Sequence, residues 1–184
     1  MKDMIKVTKV VLREKSLTDA PNDYTWKRDE ELACLDATIP LEMPFSEYLL
    51  SYAMELRYAN TGGRRFAIET LDGKHIGNCS YYNVDEHKGE AELGILIGER
   101  DYWNKGYGAD AVTTLASQVF EETNLKRIYL HTLEWNIRAK RCFQKCGFIP
   151  CGRVNRAGQD FIIMEIKKAD YKNYKKLKNA VFQR

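Results

Sequence analysis

Two short apolar runs with an amphipathic stretch between them constrain the fold more than any other part of this sequence. Residues 91–97, AELGILI, and 127–133, RIYLHTL, have the length and composition of buried strands. Between them, apolar side chains recur with the spacing of one helix face, at Val112, Leu115, Ala116, Val119 and Phe120. Strand, helix and strand in this order predict a right-handed crossover that joins two parallel strands.

Other elements are predicted before the crossover. We expect a first strand at 7–17, a broken helix up to Ala37, a helix at 44–60 and two strands at 65–71 and 74–82. Asp72-Gly73 separates the last two runs, which predicts a tight hairpin. In the helix at 44–60, Ser46 is the expected cap, Thr61-Gly62-Gly63 the expected end, and one face carries Leu49, Leu50, Ala53 and Leu56.

After the crossover, residues 136–148 predict a short helix with Ala139, Cys142, Phe143 and Cys146 on one face. Strands near 150–155 and 161–166 are expected to pair across Arg156-Ala157-Gly158. The order of elements predicts a mixed α/β fold of the α+β type. Its central twisted sheet is mostly antiparallel, with one parallel pair and flanking helices.

The length and charge distribution indicate one domain with a basic extension. A chain of 184 residues suits a single domain, which we place at 1–166. The net charge of the whole chain is +3. Residues 167–184 alone have a net charge of +6, so the rest of the chain has a net charge of −3. Such a tail is usually a solvated helix. Binding of a nucleic acid through it is the alternative, and the absence of a basic stripe across the body argues against it.

The cysteines, histidines and apolar segments exclude several classes of protein. Five cysteines without a CxxC pair favour reduced thiols in the cytoplasm, and the three scattered histidines argue against a metal site. The start of the chain lacks the apolar region of a secretory signal. No uncharged run is long enough to cross a membrane.

Residues 103–109, WNKGYGA, lie between the strand at 91–97 and the crossover helix. The first backbone N–H groups of that helix have no intrahelical partner, and they favour an anion. Glycine at 106 and 108 removes the Cβ atoms that would keep a phosphate away, and Lys105 adds a charge. The alternative is that the glycines only turn the chain. The spacing matches neither the P-loop nor the GxGxxG template.

Three segments together resemble the GNAT N-acetyltransferase superfamily. WNKGYGADA after AELGILIGERDY is similar to its acetyl-CoA pyrophosphate motif, with Trp103 in place of the consensus Arg or Gln. NIRAKRCFQKCGF (136–148) resembles its Asn-x-x-Ala/Ser … Lys-x-Gly-Phe helix. VVLREKSLTDAPNDYTWKRDEE resembles the opening of the branch that contains ribosomal-protein and spermidine N-acetyltransferases. The resemblance covers roughly residues 7–166.

The resemblance implies that acetyl-CoA is the co-substrate, with its pantetheine arm between the two splayed parallel strands. The main chain at 96–98 would bind this arm and the thioester carbonyl, and residues 103–108 would bind the pyrophosphate. Asn136 can also cap its helix. The implied cofactor-binding residues are Leu96, Ile97, Gly98, Trp103, Asn104, Lys105, Gly106, Tyr107, Gly108, Asn136, Ala139, Phe143 and Lys145.

The sequence identifies the catalytic groups less completely than the cofactor-binding residues. Phe143 occupies the position where many relatives have a tyrosine that protonates the CoA sulfur, so the proton donor is unknown. Glu92, beside the thioester, is the expected base through an ordered water, unless it is only a half-exposed carboxylate on an alternating strand. His131 is expected to be a satisfied core histidine, and Tyr82 a packing residue that could instead face the acceptor.

The expected acceptor is a cationic primary amine, either a polyamine or an N-terminus or lysine of a basic protein. Residues 28–57 carry a net charge of −5 from Asp29, Glu30, Glu31, Asp36, Glu42, Glu47 and Glu55 against two arginines. In relatives this region forms one wall of the acceptor cleft, although such acids can simply solvate two helices. The alternatives are a non-catalytic acyl-CoA binding module and a ribosome-associated protein, and a homodimer is possible.

Overall fold

A computed structural model describes residues 8–58, 62–171 and 173 of the chain. Short 3₁₀ turns lie at Leu17–Asp19 and Arg100–Tyr102. The helices and strands in chain order are β1 (Val10–Glu14), α1 (Ala20–Arg28), α2 (Glu30–Leu35), α3 (Phe45–Arg57), β2 (Arg64–Thr70), β3 (His75–Asp85), β4 (Glu90–Ile97), α4 (Tyr107–Glu122), β5 (Arg127–Leu133), α5 (Ile137–Lys145), β6 (Ile149–Arg156) and β7 (Gln159–Lys167).

The seven strands form one sheet in the order β1-β2-β3-β4-β5-β7-β6. β4 and β5 run parallel, and all other neighbouring strands in this sheet run antiparallel. The mixed fold class and the parallel pair joined by a helix are therefore confirmed. Both predicted hairpins, across Asp72-Gly73 and across Arg156-Ala157-Gly158, are also present.

The parallel pair is short, and this opens the sheet. β4 and β5 pair only at Glu90–Arg127, Ala91–Ile128 and Glu92–Tyr129. Beyond that point β4 continues to Ile97 and β5 to Leu133 without pairing with each other. Part of the main chain of β4 therefore faces a gap in the middle of the sheet, as the resemblance implied.

Helix α4 fills the core as predicted. All five side chains of its expected apolar face are buried: Val112, Leu115, Ala116, Val119 and Phe120. Residues 168–171 are helical, and the buried Tyr171 packs its ring 5.5 Å from that of Phe120. The folded body therefore includes the first residues of the predicted basic tail. Residues 172 and 174–184 of that tail lie outside the described residues.

Helix α3 differs from its prediction. Its N-cap is Pro44 rather than Ser46, and its buried residues are Tyr48 and Tyr52, whereas Leu50 is 69% exposed. The two tyrosines lie one turn apart and pack with Ala20 of α1, while Leu50 projects to the other side. Of the other predicted face residues, Leu49 and Leu56 pack beside these tyrosines and Ala53 is half-buried, so the aliphatic pattern found part of the inward face and missed the two tyrosines at its centre. The helix ends at Arg57, and the predicted end residue Thr61 lies outside the described residues.

A buried charged network joins β1 to the turn before α1. The guanidinium of Arg13 donates to both oxygens of Asp19, at 2.8 and 2.6 Å, and the backbone N–H of Ser16 donates to the same carboxylate at 2.8 Å. Asp19 is 2% exposed. Burial opposes the charge of Asp19, but the hydrogen bonds from Arg13 and Ser16 outweigh it and lower the pKa of Asp19 to about 2.

The stability of the protein should therefore depend on Asp19 in acid. The folded pKa is below the ordinary value of 3.8, so the stabilisation is complete at neutral pH and is lost as the pH falls from about 4 to about 2. In urea unfolding over this range, the advantage of the wild type over Asp19→Asn should shrink by about 1–2 kcal/mol. Glu86→Gln, at an exposed turn residue, should follow the wild-type profile. Parallel profiles for the wild type and Asp19→Asn would refute this role.

Candidate active site

A cavity of about 840 Å³ occupies the gap between the splayed strands. One end is formed by β4, the first turn of α4 and helix α5. The other end is formed by the residues that end α2, by the β6–β7 turn and by side chains of β3, β4 and β5. The cavity is therefore continuous from the glycine turn to the point where β4 and β5 separate.

Ten of the thirteen predicted cofactor-binding residues line this cavity, namely Leu96, Ile97, Trp103, Asn104, Gly106, Gly108, Asn136, Ala139, Phe143 and Lys145. The other three support its wall. The carbonyl of Lys105 accepts a hydrogen bond from the side chain of Lys9 at 2.7 Å, and the ring of Tyr107 packs edge-on against Tyr102. Gly98 lies against the indole of Trp26. The side chain of Asn136 caps α5, since its Oδ1 accepts from the N–H of Ala139 at 3.1 Å.

Glycine is favoured at the two positions of the turn for different structural reasons. Gly106 has φ +87° and caps α4 in the left-handed region, where glycine is favoured. Gly108 has no such requirement, and an added Cβ would meet only ordinary contacts at 3.6 Å with Cys142 and Ile97. The absence of a side chain at 108 keeps the cavity open beside the first N–H groups of α4. These groups fit an anion such as a diphosphate.

Trp103 is fixed at the entrance to this turn. Its indole N–H donates to the carbonyl of Ile97 at 2.7 Å, and the guanidinium of Arg138 lies 3.5 Å from the ring centroid. Arg138 lines the cavity, and burial lowers its pKa. A cation with this placement complements the anion-binding amides. Arg138 was not identified from the sequence, because its position depends on how α5 packs against the turn.

At the other end of the gap, Glu92 and His131 form a buried pair. The carboxylate Oε1 of Glu92 lies 2.7 Å from Nδ1 of His131, and Oε2 accepts from the side-chain amide of Asn83 at 3.0 Å. Glu92 is 7% exposed and lines the cavity together with His131. It is therefore not the half-exposed carboxylate that was the alternative, and His131 is not a core histidine remote from the site.

Neighbouring groups could also exchange protons. Burial and the charge of Glu92 raise the pKa of Tyr82 to about 12, so this cavity-lining phenol is protonated at neutral pH. The pKa of Cys142 is raised by its hydrogen bond with Cys146 and by burial. Phe143, at the position of the family's tyrosine, is buried and packs against Phe148.

All seven acids that were predicted to form the acceptor wall lie within the part of the chain that the structure describes. One of them, Asp36, lines the cavity. Asp29 and Glu31 pair with Arg100, and Glu55 pairs with Arg65. Asp36 follows α2, beside Leu32 and Leu35 of the cavity wall. Asp36 is exposed to solvent at the edge of the cavity, and the atoms around it raise its pKa by partial desolvation, against the opposing effect of Lys27.

Residues 8–58, 62–171 and 173 contain neither a membrane-spanning helix nor a cluster of metal-binding side chains. None of the helices there is long and apolar enough to span a bilayer. In the same residues, no three His, Cys, Asp or Glu side chains lie where they could hold a metal ion together.

Comparison with known proteins agrees with this geometry. The model of the acetyltransferase (GNAT) domain family matches residues 9–149. The chain is 27% identical over 122 residues to an uncharacterized N-acetyltransferase, p20, of Bacillus licheniformis (65% of this chain and 67% of that protein). It is 28% identical over 116 residues to spermidine N(1)-acetyltransferase of Vibrio cholerae (60% and 66%). The matches thus span about two thirds of the length of each relative.

A solved structure has the same architecture. The crystal structure of spermidine N-acetyltransferase from Vibrio cholerae, in complex with CoA and spermine, superimposes with a TM-score of 0.79. The match covers 90% of this chain and 99% of the other at 23% identity. At that identity the likeness concerns the fold.

Proposed function

Because the chain belongs to the GNAT acetyltransferase family, we propose that its cavity binds acetyl-CoA and passes the acetyl group directly to a primary amine of a small polycation. Family membership assigns the reaction class, acetyl-CoA-dependent acetylation of an amine. The observation that carries the proposal is the continuous cavity. It connects the N–H groups at the start of α4 with the buried Glu92–His131 pair.

The thirteen residues named from the sequence are proposed to hold the co-substrate. Residues 103–108 would bind its pyrophosphate through N–H groups of the turn and of α4, and we add Arg138 as a nearby cation. The main chain of β4 that faces the gap would bind the pantetheine arm, beside the carbonyl of Ile97, which accepts from Trp103, and the N–H of Gly98, which donates to Ile76. The face of α5 with Asn136, Ala139, Phe143 and Lys145 would form the opposite wall.

The chain supplies polar groups where the acetyl transfer needs them. Acetyl-CoA brings a reactive thioester, and N–H groups of β4 in the gap can stabilise negative charge on its carbonyl oxygen. The acceptor must lose a proton before it attacks, and Glu92 with His131 is proposed as the base. Phe143 offers no proton to the leaving thiolate, so the thiolate must obtain it elsewhere.

The acceptor class is proposed from Asp36. This carboxylate lies in the cavity with the apolar side chains of Leu32, Leu35 and Phe161. A polyamine would place methylene groups against such a wall and a second ammonium near the carboxylate. The relative from Vibrio cholerae is named for spermidine, which agrees with this choice.

Neutralising Asp36 should therefore impair polycationic acceptors selectively. In Asp36→Asn we expect the KM for spermidine to rise about tenfold, since a partly shielded ion pair contributes about 1.4 kcal/mol. The KM for propylamine, which has no second ammonium, should change less than twofold. Glu47→Gln alters an exposed acid of the same region that does not line the cavity, and should match the wild type for both amines. Equal losses for both amines in Asp36→Asn would contradict the role.

The reaction itself is tested by release of free CoA thiol with a panel of amines, alongside calorimetric binding of acetyl-CoA. We expect turnover with spermidine or a similar polyamine. Binding without turnover on every amine would favour the non-catalytic acyl-CoA module instead.

A further inference from the structure

Glu92 is poorly placed to receive the acceptor's proton itself. Its two carboxylate oxygens already accept hydrogen bonds, one from His131 and one from Asn83, at 2.7 and 3.0 Å. Its side chain is only 9% exposed. The side chain of Tyr82 also interacts with this carboxylate, so His131, Asn83 and Tyr82 together leave little room for a water that would relay a proton to it.

The second ring nitrogen of His131, Nε2, has a partner that fixes the tautomer of the ring. Nε2 lies 3.0 Å from a guanidinium nitrogen of Arg156, and a guanidinium can only donate. Nε2 is therefore the unprotonated nitrogen, and Nδ1 carries the hydrogen that it donates to Glu92. This tautomer directs a lone pair away from Glu92, and both His131 and Arg156 line the cavity.

Resting on the proposed function, we infer that Nε2 of His131, rather than the carboxylate of Glu92, takes the proton of the acceptor amine. Glu92 and Asn83 are positioning residues that fix the imidazole ring and its tautomer. Arg156 marks the place that the amine occupies, and its exposed side chain on the β6–β7 turn can move aside.

The strand geometry explains why these side chains meet. Pairing of β4 with β5 ends at Glu92 and Tyr129, and His131 follows where the strands diverge. Asn83 reaches Glu92 from an irregularity in the pairing of β3 with β4, in the left-handed region at φ +51°. The charged or titratable groups that face the imidazole are thus Glu92 from β4, Tyr129 from β5 and Arg156 from β6.

An acceptor ammonium gives one proton to Nε2 of His131, and the neutral amine then attacks the thioester carbonyl carbon. The new C–N bond forms, the C–S bond breaks, and the thiolate takes the remaining surplus proton from the nitrogen that becomes the amide. The imidazolium returns its proton to solvent. The products are the N-acetyl amine, CoA thiol and one proton.

Chemical rescue separates the two candidate bases. In His131→Ala we expect kcat to fall about a hundredfold with the KM for acetyl-CoA unchanged, and added imidazole to restore activity in proportion to its concentration. His131→Gln should lose as much without rescue, because its side chain fills the space. Glu92→Gln should retain more activity than His131→Ala, with the acidic limb of its pH–rate profile displaced. His87→Ala, at an exposed turn, should match the wild type with and without imidazole.

The outcomes distinguish this inference from the proposed function. A wild type that acetylates no amine overturns both. A wild type that is active, with a folded His131→Ala that keeps its rate or ignores imidazole, overturns the inference alone. Melting temperatures of His131→Ala and His131→Gln within a few degrees of the wild type establish that a lost rate is not lost folding.

Discussion

Gly108→Val is expected to weaken acetyl-CoA binding at least about a hundredfold while the protein remains folded. The fold has room for a Cβ at this position, because the nearest atoms would lie 3.6 Å away. The two methyl groups would extend into the cavity beside the N–H groups that open α4. Loss of two charge-assisted hydrogen bonds, each about 1.5 kcal/mol or more, accounts for the expected change in affinity.

Titration calorimetry with acetyl-CoA measures this effect, and thermal unfolding checks the fold. Gly62→Val is the matched control, because a Cβ at Gly62 would meet no atom within 4 Å and the residue does not line the cavity. Its affinity should equal that of the wild type. A folded Gly108→Val with wild-type affinity would mean that the phosphates bind elsewhere.

Gly98→Ala is expected to lower the free energy of unfolding by about 3 kcal/mol, the upper range for an overfilled core. A Cβ at Gly98 would lie 2.1 Å from Cδ2 of Trp26. The indole cannot easily retreat, because it is 4% exposed, packs edge-on against His75 and donates a hydrogen bond to Glu99. The end of β4 can therefore pack closely against Trp26 of α1 because Gly98 has no side chain.

A double-mutant cycle tests this explanation. Trp26→Ala removes the ring, so Gly98→Ala introduced into that variant should cost less than about 0.5 kcal/mol in urea unfolding. Costs that simply add would show that the loss in Gly98→Ala has another origin.

The features predicted correctly from the sequence depend on local patterns. The apolar face of α4 follows from helical periodicity, and the hairpin at Asp72-Gly73 follows from two residues of turn chemistry. The position of the glycine turn at 106–108, immediately before α4 and in the wall of the cavity, could also be predicted, because its motif and the helix after it are contiguous in the chain.

The features that were missed depend on contacts between distant segments. Glu92 and His131 are 39 residues apart, and they meet because the parallel pairing stops at Glu92. That stopping point is a property of the sheet as a whole. Likewise, the sequence shows seven acids as one negatively charged region. In the fold these acids have different surroundings, because Asp29 and Glu31 form ion pairs with Arg100 whereas Asp36 lines the cavity.

The two ends of the cavity are built from separate parts of the chain. The end proposed to bind the acyl donor comes from β4, α4 and α5, in the middle of the sheet. The end proposed to bind the acceptor includes the short loop after α2 and the turn between β6 and β7. Exchanging these two loops would leave the proposed binding surface for the acyl donor unchanged. The scaffold is therefore suited to being retargeted to a different nucleophile without redesign of its thioester chemistry.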